Sequence, residues 1–336
     1  MVRQLILMVA AMLFAAWPSP GGSQSTPQRI VAVGDLHGDY DAWLDIARAA
    51  GLIGADRSWG GGRATLVQMG DMTDRGPDSL KIIRHLQQLQ RQARAAGGQV
   101  VILLGNHEAM MVTGDYRYVH PGEYAAFATR ASARVRDQAY QANKAAIEAY
   151  YRQRDASLSP AAIREMWIAD TPLGKVEHNS AWGPEGDLGK WAATLPAVVK
   201  IGTSLFVHGG ISANYALVPA SEINRRAREA LQSGTSERTA IINDEFGPLW
   251  YRGLITGTGA GGRPTAANEL DVALKAFGAR RLVVGHTPSP KGVVIDFGGK
   301  LVRIDTGISR AYGGVLGWIE IVGDSVTPKT TARSKP

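Results

Sequence analysis

The sequence predicts an α/β chain in which two packed β-sheets are flanked by helices. From 29 to 110, short apolar, β-branched runs alternate with amphipathic segments of helical period. After 280 the strand-like runs RRLVVG, KGVVIDF, KLVRIDTG and LGWIEIV follow closely, as a β-meander does. Five predicted strands also end in Gly or His and then present Asp, His or Asn: GDLHG (34–38), GDMTDRG (70–76), GNHE (105–108), HGG (208–210) and GHT (285–287).

The N-terminus stands apart. Arg3 precedes the 13-residue apolar run LILMVAAMLFAAW (5–17), and PSPGGSQS (18–25) follows. This is the charged, apolar and small-residue order of a secretory signal peptide over 1–25, ending at Ser23 or Ser25. An uncleaved anchor is the alternative, but a span needs about 20 apolar residues, and the chain has no Cys to carry a lipid. The expected location is therefore periplasmic or secreted, with no stable membrane insertion after cleavage. Export would permit disulfides, yet without Cys the fold must do without them. The net charge of +7 contains no basic run longer than two residues, so it reads as solvated surface and not as a nucleic-acid site.

Along the rest of the chain, RIVAV (29–33), ATLVQM (64–69) and QVVILL (99–104) read as strands, separated by amphipathic helices over 39–53 and 77–96. Pro77 suits a first helical turn, and SWGGGR (58–63) reads as a turn. An Ala- and Arg-rich helical insertion occupies about 115–190 and separates the third ligand-bearing segment from the fourth. It reads as a cap beside the site or as scaffold, with Trp167, Trp182 and Trp191 as its core. Strand SLFV (204–207) precedes His208, and helices are expected over 218–234, 236–246 and 267–277. TGTGAGGRP (256–264) lacks the Lys-Ser/Thr of a nucleotide-binding loop. The polar tail 326–336 reads as disordered.

The strand ends carry the chemistry. Asp35 and His37 lie two apart on one turn and can reach one ion; Asp71, at the next strand end, can bridge two. Asn106 offers a neutral oxygen, and His208 and His286 offer imidazoles for the second ion. The expected set is thus Asp35, His37 and Asp71 on one ion, and Asp71, Asn106, His208 and His286 on the other. Such oxygen and nitrogen donors suit manganese, iron or zinc and do not choose among them; two divalent ions are expected, manganese first, with iron or zinc as alternatives. Two ions ~3.5–4 Å apart can acidify a shared water and clamp a phosphoryl group. Arg75 can hold two phosphate oxygens, and His107, oriented by Asp74, can protonate the leaving oxygen. Glu108 reads as a group that orients its neighbours. His85, His120 and His178 lie outside the motifs, and structural roles are expected for them.

The GDxHG, GDxxDRG, GNHE, HGG and GHT set resembles the phosphoprotein-phosphatase branch of the calcineurin-like metallophosphoesterases, over nearly all of 28–325. The resemblance implies an α/β/β/α sandwich of two mixed sheets, and the same ligand set. GPLWYRG (247–253) and KWAATLPAVVKIGTSLFVHGGIS (190–212) are further similar to its bacterial Shewanella-like subgroup. That similarity implies a second phosphate-binding arginine at Arg252, an aromatic lip at Tyr312 and a substrate contact at Asn106. The insertion is longer than in the eukaryotic serine/threonine enzymes, so their substrate grooves do not carry over. The expectation is an exported phosphatase for phosphorylated proteins, peptides or small molecules, with phosphotyrosine favoured. Its alternatives are a dinucleoside-polyphosphate or small phosphodiester hydrolase, and a metal-bearing binding protein without catalysis.

Overall fold

The computed structural model describes residues 28–257 and 265–334. The expected signal peptide and most of the Gly-rich loop lie outside the described residues. The chain begins with β1 (Arg29–Val33), α1 (Tyr40–Ala49), β2 (Thr65–Gln68), α2 (Ser79–Ala95), β3 (Gln99–Ile102) and α3 (Asn106–Val112). The insertion then runs through a 3-10 turn (Pro121–Phe127), α4 (Ser132–Ala142), α5 (Lys144–Arg152), α6 (Pro160–Asp170), α7 (Lys175–Trp182) and α8 (Asp187–Ala192). The second half comprises β4 (Val198–Ile201), β5 (Ser204–Val207), α9 (Ala220–Ser233), α10 (Gly253–Thr256) and α11 (Ala266–Phe277). It ends with β6 (Arg281–Val284), β7 (Val294–Asp296), β8 (Leu301–Arg303), β9 (Leu316–Val322) and β10 (Ser325–Thr331).

These strands make two mixed five-stranded sheets, ordered β10-β9-β1-β2-β3 and β4-β5-β6-β8-β7. β1, β2 and β3 are mutually parallel, as are β5, β6 and β8, and β9, β10, β4 and β7 pair antiparallel at the edges. The strands are apolar on both faces because both faces are covered. Ile30, Ala32 and Val67 join Phe206, Val283 and Val302 in a core between the sheets. The alternate residues Val31, Val33, Val207 and Val284 join the core beneath the helices. The result is the α/β/β/α sandwich.

Two expectations are corrected. The tail is not disordered through residue 334: β10 pairs with β9 along its whole length, and Arg333 donates to Asp39 at 2.8 Å. Its Ser, Thr and Lys content suits a solvated edge strand, where main-chain pairing carries the stability and even Pro328 is tolerated. The 236–246 segment forms turns instead of a helix. Asn243 donates to the Thr235 and Glu237 carbonyls, and Asp244 accepts from the Phe246 amide. Such side-chain bonds compete with a helical ladder.

The insertion has its own small core of Tyr140, Ile147, Tyr151 and Ile163, with Trp167 packed against it. Trp182 is instead buried in the main core, where the half-buried Trp191 meets it. Buried His178 sits among the rings of Tyr116, Tyr124 and Phe127, at 5.6, 5.1 and 4.9 Å. The insertion also places Glu123, almost fully buried, against α2, where Ser79 Oγ donates to it at 2.6 Å. Burial pushes this carboxyl up to about 8 from an ordinary 4.5. A raised carboxyl favours the folded state below its unfolded pKa, and that advantage fades as pH rises toward the folded one. We expect wild-type protein to lose on the order of a few kcal/mol relative to Glu123→Gln between pH 5 and 8. Urea unfolding of both proteins at the two pH values reads this, and parallel pH dependences would refute it.

Candidate metal centre

The loops leaving β1, β2, β3, β5 and β6 converge on one buried centre. The Asp71 carbonyl accepts from the Leu36 and His37 amides at 3.0 and 2.9 Å, tying the first two loops together. Asp71 Oδ1 accepts from the His107 amide and Asp35 Oδ2 from the His286 amide, both at 3.0 Å, which ties in the third and fifth. Gly105 and Gly285 allow this approach, since a Cβ at either would run into the Asp71 or Asp35 carboxylate. Five non-glycine residues here take left-handed backbone: His37, Asp71, Asp74, Arg75 and His286, at φ of 41°, 52°, 71°, 65° and 64°. Such conformations cost roughly 1–3 kcal/mol each and gather where function requires them.

Asp71 Oδ2 is the geometric centre. The Nε2 atoms of His208, His37 and His107 lie 3.3, 3.8 and 3.8 Å from it. His208 Nε2 is also 2.9 Å from Asn106 Oδ1, so two oxygens converge on one imidazole nitrogen. Donor atoms of Asp71, His208 and His286 lie within 4.8 Å of one another, as do those of His37, Asp71 and His107. His37 and His208 turn Nδ1 to the carbonyls of Thr73 and Met69, at 2.9 and 2.8 Å, leaving Nε2 directed inward. His107 differs: its Nδ1 lies 2.5 Å from Asp74 Oδ2, a carboxylate in place of a carbonyl.

Electrostatics separates these groups further. Burial holds the Asp35 carboxyl well above its ordinary range, and repulsion from Asp305 and Asp71 adds to this. Asp71 lies well below its range because His208, His107 and His37 together outweigh its burial. Burial lowers His37 to about 3 and drives His286 far down, so both are neutral donors at pH 7. For His107, burial pulls down, but Asp71 and the hydrogen-bonded Asp74 prevail and raise it. Glu108 accepts from the amides of Gly105, Asp71 and Met72 at 3.0, 2.8 and 2.8 Å, clamping the Asp71 loop to the start of α3.

The set fits divalent ions. Asp35 Oδ1, Asp305 Oδ2 and His286 Nε2 are buried without a hydrogen-bond partner among the described residues. Buried carboxylates crowded in this way, beside neutral imidazoles, are what a cation pair stabilises. At the mouth, the Arg75 guanidinium carbon lies 4.6 Å from the Tyr118 ring and 5.0 Å from the Tyr312 ring. Tyr312 in turn lies 5.5 Å from the His37 ring. Arg252 reaches the His286 carbonyl at 3.4 Å. Every residue named from the strand-end motifs, with Arg252 and Tyr312, is thus in or beside this centre. His85 bonds Trp43 and the Arg57 carbonyl under α1, and His120 caps the 3-10 turn.

Comparison with known proteins places this geometry. The profile of the calcineurin-like phosphoesterases matches residues 28–290. The chain belongs to the calcineurin-like phosphoesterase family. It is accordingly a phosphoesterase hydrolase of a family that uses divalent metals. Shewanella-like protein phosphatase 2 of Arabidopsis thaliana is 32% identical over 308 residues, covering 89% of this chain and 76% of that one. An uncharacterized protein of Schizosaccharomyces pombe is 34% identical over 301 residues, covering 86% and 75%. Among solved structures, the cold-active protein-tyrosine phosphatase of a psychrophilic Shewanella is similar at a TM-score of 0.65 and 26% identity, covering 90% of this chain and 80% of that one.

Sequence reasoning missed two members of this calcineurin-like site. Asp305 follows β8 just as Asp35 follows β1, so KLVRIDTG carries the same strand-end signal, without the Gly directly beside the ligand that marks the other segments. Burial raises its carboxyl to about 6. Tyr118 lies in the loop after α3, where periodicity carries no information about which ring faces the site.

Proposed function

We propose that this calcineurin-like phosphoesterase is a phosphomonoesterase acting on phosphorylated proteins or peptides through two divalent ions, manganese first. The observation that carries this is the His107–Asp74 pair beside Asp71 Oδ2, with Arg75 at the same mouth. Ions held by Asp35, His37, Asp71, Asn106, His208 and His286 supply positive charge for the phosphoryl oxygens and a water of lowered pKa as nucleophile.

The chain's own residues do the rest. Asp74 holds His107 Nδ1–H, which fixes the tautomer and leaves Nε2 to deliver a proton to the departing oxygen. Burial pulls the proton affinity of this imidazole down, but Asp71 and Asp74 prevail and raise it. Arg75, whose Nε is buried without a partner among the described residues, offers a planar fork for two phosphate oxygens. Arg252 approaches from the β6 side and offers a second guanidinium. The likeness to a protein-tyrosine phosphatase and to a Shewanella-like protein phosphatase supports protein substrates and favours phosphotyrosine. The pattern at 1–25 supports export to the periplasm or beyond. No described helix is long and apolar enough to cross a membrane.

A panel of a phosphotyrosine peptide, a phosphoserine peptide of the same sequence and diadenosine tetraphosphate, each with the manganese-loaded enzyme, tests the reading. The expected order of kcat/KM is phosphotyrosine, then phosphoserine, then the dinucleotide. A dinucleotide turned over faster than both peptides would overturn it in favour of a dinucleoside-polyphosphate hydrolase.

A further inference from the structure

We propose that Tyr118, supplied by the loop entering the insertion, makes the mouth of this site selective for aryl over alkyl leaving groups. The inference deepens the phosphomonoesterase reading and rests on it. Tyr118 is a large ring left 40% exposed, one of three Phe, Trp or Tyr residues so open among the described residues. Its centroid is 5.3 Å from that of His107, the group positioned to protonate the departing oxygen. It is also 4.6 Å from the guanidinium carbon of Arg75, the group positioned to hold the phosphate. One exposed ring therefore touches both groups between which a phosphoester's bridging oxygen must sit.

The ring is held in place. The Tyr118 carbonyl accepts from the Arg75 amide at 2.9 Å, so the backbone on either side of the mouth is joined. Arg117, itself paired with Asp115 at 2.8 and 2.5 Å, brings a second guanidinium to 5.8 Å from the same ring. Tyr312 is a second ring beside Arg75, 5.0 Å from its guanidinium carbon. With its phosphate on Arg75 and its oxygen at His107, a substrate projects its organic group past the Tyr118 ring. An aryl group there packs ring against ring and gains dispersion and quadrupole attraction. The single methylene of a phosphoserine side chain presents no such face. The contact lies with the leaving group and not with the reacting atoms, so Tyr118 is a specificity residue.

The test compares wild type, Tyr118→Phe, Tyr118→Leu and Tyr118→Ala, all manganese-loaded, on phosphotyrosine and phosphoserine peptides of one sequence. The ratio of the two kcat/KM values should fall about tenfold in the Ala and Leu variants and stay within about twofold of wild type in Phe, with the loss mainly in KM. Thermal unfolding of each variant checks that the fold is intact, and the Leu variant keeps the bulk that Ala removes. An unchanged ratio in both Ala and Leu, whether or not overall activity drops, overturns the role of Tyr118 and leaves the phosphomonoesterase reading standing. A wild type that hydrolyses neither peptide overturns that reading and this inference with it.

Discussion

Replacing His107 by Asn should lower kcat on a phosphoserine peptide by about 10²–10⁴-fold, the usual contribution of a positioned general acid. Both metal ions should stay bound. The two effects separate because of what surrounds His107. Its Nδ1 is engaged by Asp74, while the ring nitrogens of His37 and His208 that face away from the centre go to backbone carbonyls. The three-atom grouping of His37, Asp71 and His107 could alternatively make His107 a ligand. The carboxylate partner serves either role, since a ligating imidazole also commonly donates its other N–H to a carboxylate, and the metal content of the variant separates the two. The loss should also depend on the leaving group: an activated aryl phosphate, whose phenolate departs with little need of a proton, should suffer least. A kcat reduced equally for every leaving group, together with loss of one metal equivalent by elemental analysis, would make His107 a ligand.

Much of this centre was legible because its residues sit where strands end. Parallel strands open their carboxyl ends on one edge, so Asp35, Asp71 and Asn106 could be expected together from their places after β1, β2 and β3. His208 and His286 follow β5 and β6 in the second sheet by the same logic. Asp305 obeys it too, but its strand falls within a meander, where closely spaced strand runs mask a ligand at a strand end. The failures lie where side chains or solvent exposure override composition. Thr, Lys and Pro in β10 resemble a disordered tail, yet a tight turn at Gly323 and Asp324 is enough to pair them. Asn243 and Asp244 divert the backbone bonds that a helix over 236–246 would need. Tyr118 was invisible because its contacts with Arg75 and His107 are set by the folded loop and by no local period.

The position of Asp71 predicts the largest loss. Its Oδ2 faces three imidazoles, and its Oδ1 and carbonyl fasten two further loops. Asp71→Asn keeps the shape but removes the charge that both proposed ions share, so activity should fall by more than about 10³-fold. Activity alone would not distinguish lost metal from lost structure, and stability does. A ligand bound only by the folded state adds about 2.7 kcal/mol when present at 100 times its Kd. Adding manganese should therefore raise the melting temperature of wild type distinctly and that of Asp71→Asn scarcely at all. His37→Ala offers the contrast: it touches one proposed ion only, so it should retain part of the manganese stabilisation through Asn106, His208 and His286. Equal stabilisation of wild type and Asp71→Asn by manganese would show that the ions do not share this carboxylate, and the two-ion arrangement would have to be abandoned.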